Sequence, residues 1–474
     1  MKRKLFPILT VIMICGLSVL TSCGEEDNPK NEPVVSAERQ TFETEFSKIM
    51  QSIAENSRFE AYQEALQVVG NFLLGIDEKA LGDQIAEILP DILENTNPTL
   101  VQEQDEEEQK VIYAALNEHF GMSEEEVNEV GGFLLVDAYN TIGKRKVTFQ
   151  DGKATKGESD GFVVESIDNE GRSTSITLKF KDERDGVRIF VTRLAGVIPV
   201  CIQLPEHIEV IVNTARGVQM NGNLVLNTKA ASRYISFKNS EWAGICSLTS
   251  NLSGRSETLN AYMKHGADCS FDINASVAFN GMEKLALSVK GMNKPYPEEY
   301  INSDELKSLR DCGDFFSGAY DVLKVLNGSE VENIQITLND KFILSGKVED
   351  VAGSLLAFGN IRKMHGTKPG FAVVDEYTQQ MNKSIHFTVA LKNTDIKAQG
   401  SFVTIMKGFD NMEYQPAVAL QFAGEKEPMA LLDRMSEKDI ANYHLMIDNV
   451  NELVKSVTTL VGAVKVKFSD IKIL

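Results

Sequence analysis

The period of the hydrophobic positions changes near residue 144, and the change separates a helical region from one in which strands dominate. Before it the period is helical. Phe42, Phe46, Ile49, Met50 and Ile53 fall on one face, because residues three, four and seven apart share a side at 3.6 residues per turn. Ser57 and Glu60 have the spacing of a capping box for a second helix, striped by Tyr62, Leu66, Val69 and Leu73. Ile85, Ile88, Leu89 and Ile92 mark a third, which Pro90 is expected to bend or end. Ser123 with Glu126 caps a later one. The pattern predicts a helical region over 36–143.

After residue 144 the period is two. Ile176, Leu178 and Phe180 alternate with polar residues. Phe271, Ile273, Ala275, Val277 and Phe279 form the cleanest strand, and Asn280-Gly281 turns it back into Leu285, Leu287 and Val289. Asn-Gly between alternating runs is a strong hairpin signal, because both residues tolerate positive φ. A second hairpin turns at Asn339-Asp340, and a third joins Ile385–Leu391 to Ile396–Phe402. Val418, Leu420 and Phe422 give another strand, and Val464, Val466 and Phe468 a last one. Two long helices are expected, Ser303–Leu326 and Ser436–Val461, ending at Asn327-Gly328 and Gly462. Hairpins mean antiparallel sheet, and blocks of strands and helices mean an α+β fold. The expectation is a helical N-terminal region followed by an α+β body over 144–474. In that body amphipathic helices cover one face of antiparallel sheet, with two related halves near 144–296 and 297–474.

The first 35 residues belong to neither pattern. Lys2, Arg3 and Lys4 precede an apolar run from Leu5 to Leu20, and Leu20-Thr21-Ser22-Cys23 follows. The layout is that of a secretory signal peptide over 1–22, marginally short for a membrane span. The tetrad resembles the lipobox of bacterial lipoproteins. That resemblance implies cleavage before Cys23 and acylation of its thiol and new amine, and two chains suffice for stable anchoring. Gly24, Glu25, Glu26 and Asp27 resemble the export signal of surface lipoproteins in the Bacteroidota. The implied address is the outer membrane, lipid-anchored and exposed on the cell surface. Residues 23–35, with Pro29 and Pro33, read as a flexible tether.

Charge narrows the partners. The formal net charge of −20 becomes −23 once the leader removes Lys2, Arg3 and Lys4. Such a chain repels nucleic acid and anionic lipid surfaces, so the expected membrane contact is the N-terminal anchor alone. Beyond Cys15 in the leader and Cys23, four cysteines remain, Cys201, Cys246, Cys269 and Cys312. An exported chain can pair them, and the pair expected is Cys246 with Cys269. Cys312 reads as a small buried apolar residue.

Motifs for chemistry are sparse. The sequence has no Gly-x-Ser-x-Gly elbow, His-Glu-x-x-His, Walker loop, dinucleotide fingerprint or Cys-x-x-Cys. His386 and His444 read as structural. The one concentration of histidine and carboxylate is Glu206-His207-Ile208-Glu209, where His207 and Glu209 would share a strand face as weak metal-ligand or base candidates. The acidic runs at 105–108 and 124–126 lack the alternating oxygens and glycine of a calcium loop and read as helix ends. A single tryptophan, Trp242, weighs against aromatic capture of polysaccharide, with tyrosines as the substitute.

The expectation is therefore a non-catalytic binding or assembly component of the envelope without a cofactor. Its partner would be an envelope protein or an apolar ligand. Two alternatives stand beside it. One is a lipid carrier with a cavity between sheet and helices, similar in outline to the half-barrel folds of envelope lipid carriers. The other is a hydrolase whose site the motifs do not reveal.

Overall fold

The structure is a computed structural model. It describes residues 35–467 apart from 57, 138–142, 181–185, 215–218, 228–233, 236–241, 253, 267, 293–295, 313–316, 318, 321–322, 324–329, 365–368, 407–413 and 432–433. The leader, Cys23, the acidic cluster Gly24, Glu25, Glu26 and Asp27, and nearly all of the tether lie outside the described residues. The fold is α+β. The chain forms two compact units, one made of 35–58, 269–277 and 282–449, the other of 59–268, 278–281 and 450–467.

In the first unit, helix α1 (Ala37–Asn56) precedes a series of strands in chain order: β13 (Ser270–Phe279), β14 (Met282–Met292), β15 (Glu330–Leu338), β16 (Phe342–Val348), β17 (Ile385–Leu391), β18 (Lys397–Ile405), β19 (Gln415–Phe422) and β20 (Met429–Ala430). Each strand from β14 onward is antiparallel to the next. The hairpin turns take the expected positive φ: 52° at Asn280 and 75° at Gly281, then 51° at Asn339 and 52° at Asp340. The stripe of α1 docks on this unit's strands. Phe42 lies 5.6 Å from Phe342 and 5.3 Å from Phe422, ring centre to ring centre, and Phe46 lies 5.1 Å from Phe342. Arg39, wholly buried on the same helix, donates to both carboxylate oxygens of Glu425 at 2.7 Å and to the Leu420 carbonyl at 2.6 Å, and its guanidinium stacks over Phe422.

Three departures from the periodicity fall in this unit. The helix expected from Ser303 begins there, with the Ser303 hydroxyl accepting from the Leu306 amide. It tightens into a 3-10 turn at Ser308–Cys312, and Cys312 is half-exposed rather than buried. Helices at Val351–Lys363 and Phe371–Ser384 were not signalled. The first is held by Asp350, which accepts from the Gly353 amide at 2.9 Å and from the Tyr296 hydroxyl at 3.0 Å.

In the second unit, α2 (Glu60–Gly75), α3 (Glu78–Glu94), α4 (Glu106–Phe120) and α5 (Glu124–Val130) come first. Two short strands interrupt this helical stretch, β1 (Thr96–Leu100) and β2 (Gly132–Val136). They join β7 (Val187–Leu194) and β8 (Ile198–Leu204) in a small sheet ordered β1-β2-β8-β7. Its core holds Phe133, Phe190, Cys201 and Tyr234 against Ile112 and Leu116 of α4. The larger series is β4 (Lys153–Glu158), β3 (Arg145–Gln150), β5 (Phe162–Ile167), β6 (Ser173–Phe180), β9 (His207–Asn213), β10 (Gln219–Asn227), β11 (Trp242–Leu252) and β12 (Arg255–His265), in that spatial order. Among the described residues its strand pairs are antiparallel except β3 with β5, which is parallel.

The capping box at Ser123 and Glu126 forms as expected. Pro90 is carried inside α3. At α2 the cap comes from elsewhere. Phe59, with φ 50°, is the N-cap residue and makes no side-chain cap bond. The carboxylate of Glu257 on β12 instead accepts from the amides of Ala61 at 3.3 Å and Tyr62 at 3.0 Å. Ser57 lies outside the described residues. The last strand expected at 464–468 is helical over its described residues. The final helix, Glu437–Lys467, runs through Gly462. Tertiary packing overrides the β-branched valines here. Leu460 lies where a Cβ at Gly70 of α2 would meet it at 3.0 Å, and the Lys467 ammonium donates to the Leu74 carbonyl.

Candidate functional site

Strands β6, β9, β10, β11 and β12 are paired residue for residue, so side chains directly opposite each other stand on one face as rows across five strands. One row is Lys179, Glu209, Asn223, Ser247 and Asn260. The next is Thr177, Ile211, Asn221, Thr249 and Thr258. A third is Ser175, Asn213, Gln219, Asn251 and Ser256. Every member of these rows is exposed or half-exposed. Side chains join along the rows: Ser247 donates to Asn260 at 2.8 Å, and the Thr249 and Thr258 hydroxyls lie 3.1 Å apart. A fourth row, His207, Val225, Ile245 and Tyr262, is mainly apolar, and Ile245 is 47% exposed.

The opposite face of the same strands carries the apolar partners, and its burial is graded. The row Val212, Met220, Ser250 and Glu257 is buried under the start of α2. Tyr62 of that helix donates its hydroxyl toward the Leu248 carbonyl at 2.5 Å and lies 3.0 Å from the Glu257 carbonyl. Ser250 donates to the Ala61 carbonyl at 3.1 Å. Two rows on, Ile208, Leu224 and Ala261 are half-buried and Cys246 is exposed. Beyond them Leu226 and Met263 pack on Val187, Ile189 and Ile235. The Cys246 row is an apolar strip open between two covers. Desolvation by the surrounding carbon still raises its thiol above the ordinary range.

The sequence candidates fall on this sheet as follows. His207 and Glu209 share a face of β9, as the period of two requires. They belong to the polar rows, and the His207 ring nitrogen Nε2 lies 3.2 Å from the Asn223 side-chain oxygen. Among the described residues no three His, Cys, Asp or Glu side chains come together to hold a metal ion, so the pair gains no third ligand. Cys246 and Cys269 are both free thiols, as are Cys201 and Cys312. This corrects the expected pairing: Cys246 points from a strand interior into the apolar strip and Cys269 sits in a turn with φ 65°. His386 is on the solvent side of β17, its Nε2 3.8 Å from a Glu349 carboxylate oxygen.

The polar rows were missed because they use ordinary residues. Their only signal is the alternation of Asn221, Asn223 and then Ser247, Thr249 with apolar neighbours. No described helix is long and apolar enough to cross a membrane. What the arrangement offers chemically is two contrasting surfaces on one rigid support, a solvent-facing array of amides and hydroxyls and an open apolar strip behind it. No protein-family model matches this chain, and neither a curated protein nor a solved structure matches it.

Proposed function

We propose that this protein is a non-catalytic binding component of a bacterial outer membrane. It is held there by acylation of Cys23 and displayed on the cell surface through the acidic cluster Gly24, Glu25, Glu26 and Asp27. Its recognition surface is the solvent face of β6, β9, β10, β11 and β12. The observation that carries this reading is the register of five strands, which places amide and hydroxyl side chains in rows in solvent and ties them to one another. Groups fixed on regular strands lose little entropy when a partner arrives, which is the physical basis of preorganised recognition.

A second reading has its own observation. The exposed Cys246 among Leu224, Leu248 and Ala261 marks an apolar strip suited to an apolar ligand such as a lipid chain.

Photo-crosslinking residues placed singly at Asn223, Ser247 and Leu224 in the living cell separate the two. Adducts from Asn223 and Ser247 support the first reading. Adducts from Leu224 alone support the second. Absence of adducts from all three positions overturns both.

A further inference from the structure

The composition of the polar face selects one ligand chemistry, and we infer that it binds a neutral polysaccharide; this deepens the binding reading above and rests on it. Of the side chains in the three polar rows, two are charged. They are Lys179 and Glu209, directly opposite each other with opposite signs. The rest are amides and hydroxyls with Ile211 among them. A face without net charge has no Coulombic hold on a polyanion or a polycation, and the net charge of −20 disfavours polyanions further. Amides donate and accept at once, as do hydroxyls. Rows of them fit a ligand that presents both functions along its length, which is the chemistry of a sugar chain.

Two geometric features point the same way. Neighbours within a row stand about 4.8 Å apart, the spacing of paired strands, which is comparable with the rise of one sugar residue in an extended glycan. A chain lying across the strands would therefore meet an equivalent group at each step. Beside the polar rows runs the strip of His207, Val225, Ile245 and Tyr262, with Ile245 47% exposed. Sugar rings have apolar C–H faces as well as hydroxyl edges, and an aromatic and aliphatic strip next to amides meets both. Tyr262 takes the part that a single tryptophan in the whole sequence leaves open. The bonds Ser247 to Asn260, Thr249 to Thr258 and His207 to Asn223 hold the side chains in place before binding.

The test is affinity electrophoresis of the full-length purified protein in detergent, through native gels holding soluble xylan, galactomannan, mixed-linkage glucan or dextran. Polygalacturonate and heparin serve as anionic controls. The inference predicts retardation by at least one neutral polymer and by neither anionic one. It also predicts weakening of about tenfold in each of Asn223→Ala and Tyr262→Ala, the order expected for loss of one or two direct contacts, with Lys153→Ala on the exposed edge strand β4 unchanged. Far-UV circular dichroism checks that each variant folds, and Asn223→Asp, which adds a charge without changing shape, is the second variant. No retardation by any neutral polymer, or retardation that survives both face variants, overturns the inference. If a crosslinker at Ser247 traps a polypeptide on cells while no polysaccharide retards the protein, the glycan inference falls and the binding reading stands. If it traps nothing, both fall.

Discussion

Tyr62 and Glu257 hold each other in both directions: the Glu257 carboxylate accepts the Tyr62 amide at 3.0 Å, and the Tyr62 hydroxyl lies 3.0 Å from the Glu257 carbonyl. The clasp seats helix α2 on β12 and buries the carboxylate. A negative group at a helix N-terminus satisfies amides that have no partner within the helix. Desolvation nevertheless wins, and the Glu257 carboxyl is raised above its ordinary value. Glu257→Ala is expected to cost about 1–3 kcal/mol in urea unfolding, the range for leaving buried donors unsatisfied.

The same shift sets a pH dependence. A raised carboxyl means that the folded state holds its proton to higher pH than the unfolded chain does. Glu257 therefore withdraws stability as pH rises from the ordinary glutamate range through its folded value. Glu257→Gln keeps an acceptor and cannot ionise, so its unfolding free energy should decline less over that window. Parallel curves for wild type and Glu257→Gln contradict this.

Arg39 with Glu425 has the opposite sign. The bond from the buried guanidinium holds the Glu425 carboxyl below the ordinary range. Its contribution is full above the unfolded value and is lost as pH falls through the folded one. Arg39→Ala leaves a buried carboxylate without its cation and should cost about 3–5 kcal/mol. The double change Arg39→Met with Glu425→Met should cost clearly less, because no unpaired charge remains. A double-mutant cycle by urea unfolding reads the coupling, and additive costs would show that the pair is not coupled.

The thiols give a direct test of the corrected pairing. Cys201 is wholly buried, and burial pushes its thiol up, whereas Cys246 is exposed. Native protein should alkylate at Cys246 and Cys269 with a maleimide and at Cys201 only after unfolding. Mass mapping that finds Cys246 and Cys269 both protected until reduction would restore the disulfide.

Gly400 sits opposite Phe387, with Gly346 on its other flank. A Cβ at Gly400 would meet the Phe387 ring at 2.0 Å. The ring lies over the glycine backbone, so Gly400→Ala forces Phe387 from its place and should cost about 1–3 kcal/mol, as overpacking does. Thermal unfolding checks it, and an unchanged midpoint contradicts it.

The sequence was most readable where one local signal fixes one structure. Asn280-Gly281 and Asn339-Asp340 demand positive φ and receive it, and Ser123 with Glu126 closes its own capping box. It was least readable where distant residues decide. Glu257 caps a helix whose Tyr62 amide lies 195 residues earlier in the chain, and no window around Ser57 carries that information. Val464 and Val466 have strand propensity, and packing of the last helix against Gly70 outweighs it. The polar rows depend on register between strands that loops separate. Asn223 and Ser247 look like unremarkable solvent positions until their pairing with Glu209 and Asn260 is known.

The central claim is that a partner occupies the polar face on the cell. Ser247→Cys, in a chain that also carries Cys246→Ala, Cys269→Ser and Cys312→Ser, is treated with a membrane-impermeant maleimide on intact cells and, separately, as purified protein. Lys153→Cys on the exposed edge strand β4 is the control. The account predicts that Lys153→Cys labels equally in both settings and that Ser247→Cys labels several-fold less on cells, where the partner covers it. Equal labelling of Ser247→Cys in both settings means a bare face and contradicts the account, and failure of Lys153→Cys to label on intact cells contradicts the surface address.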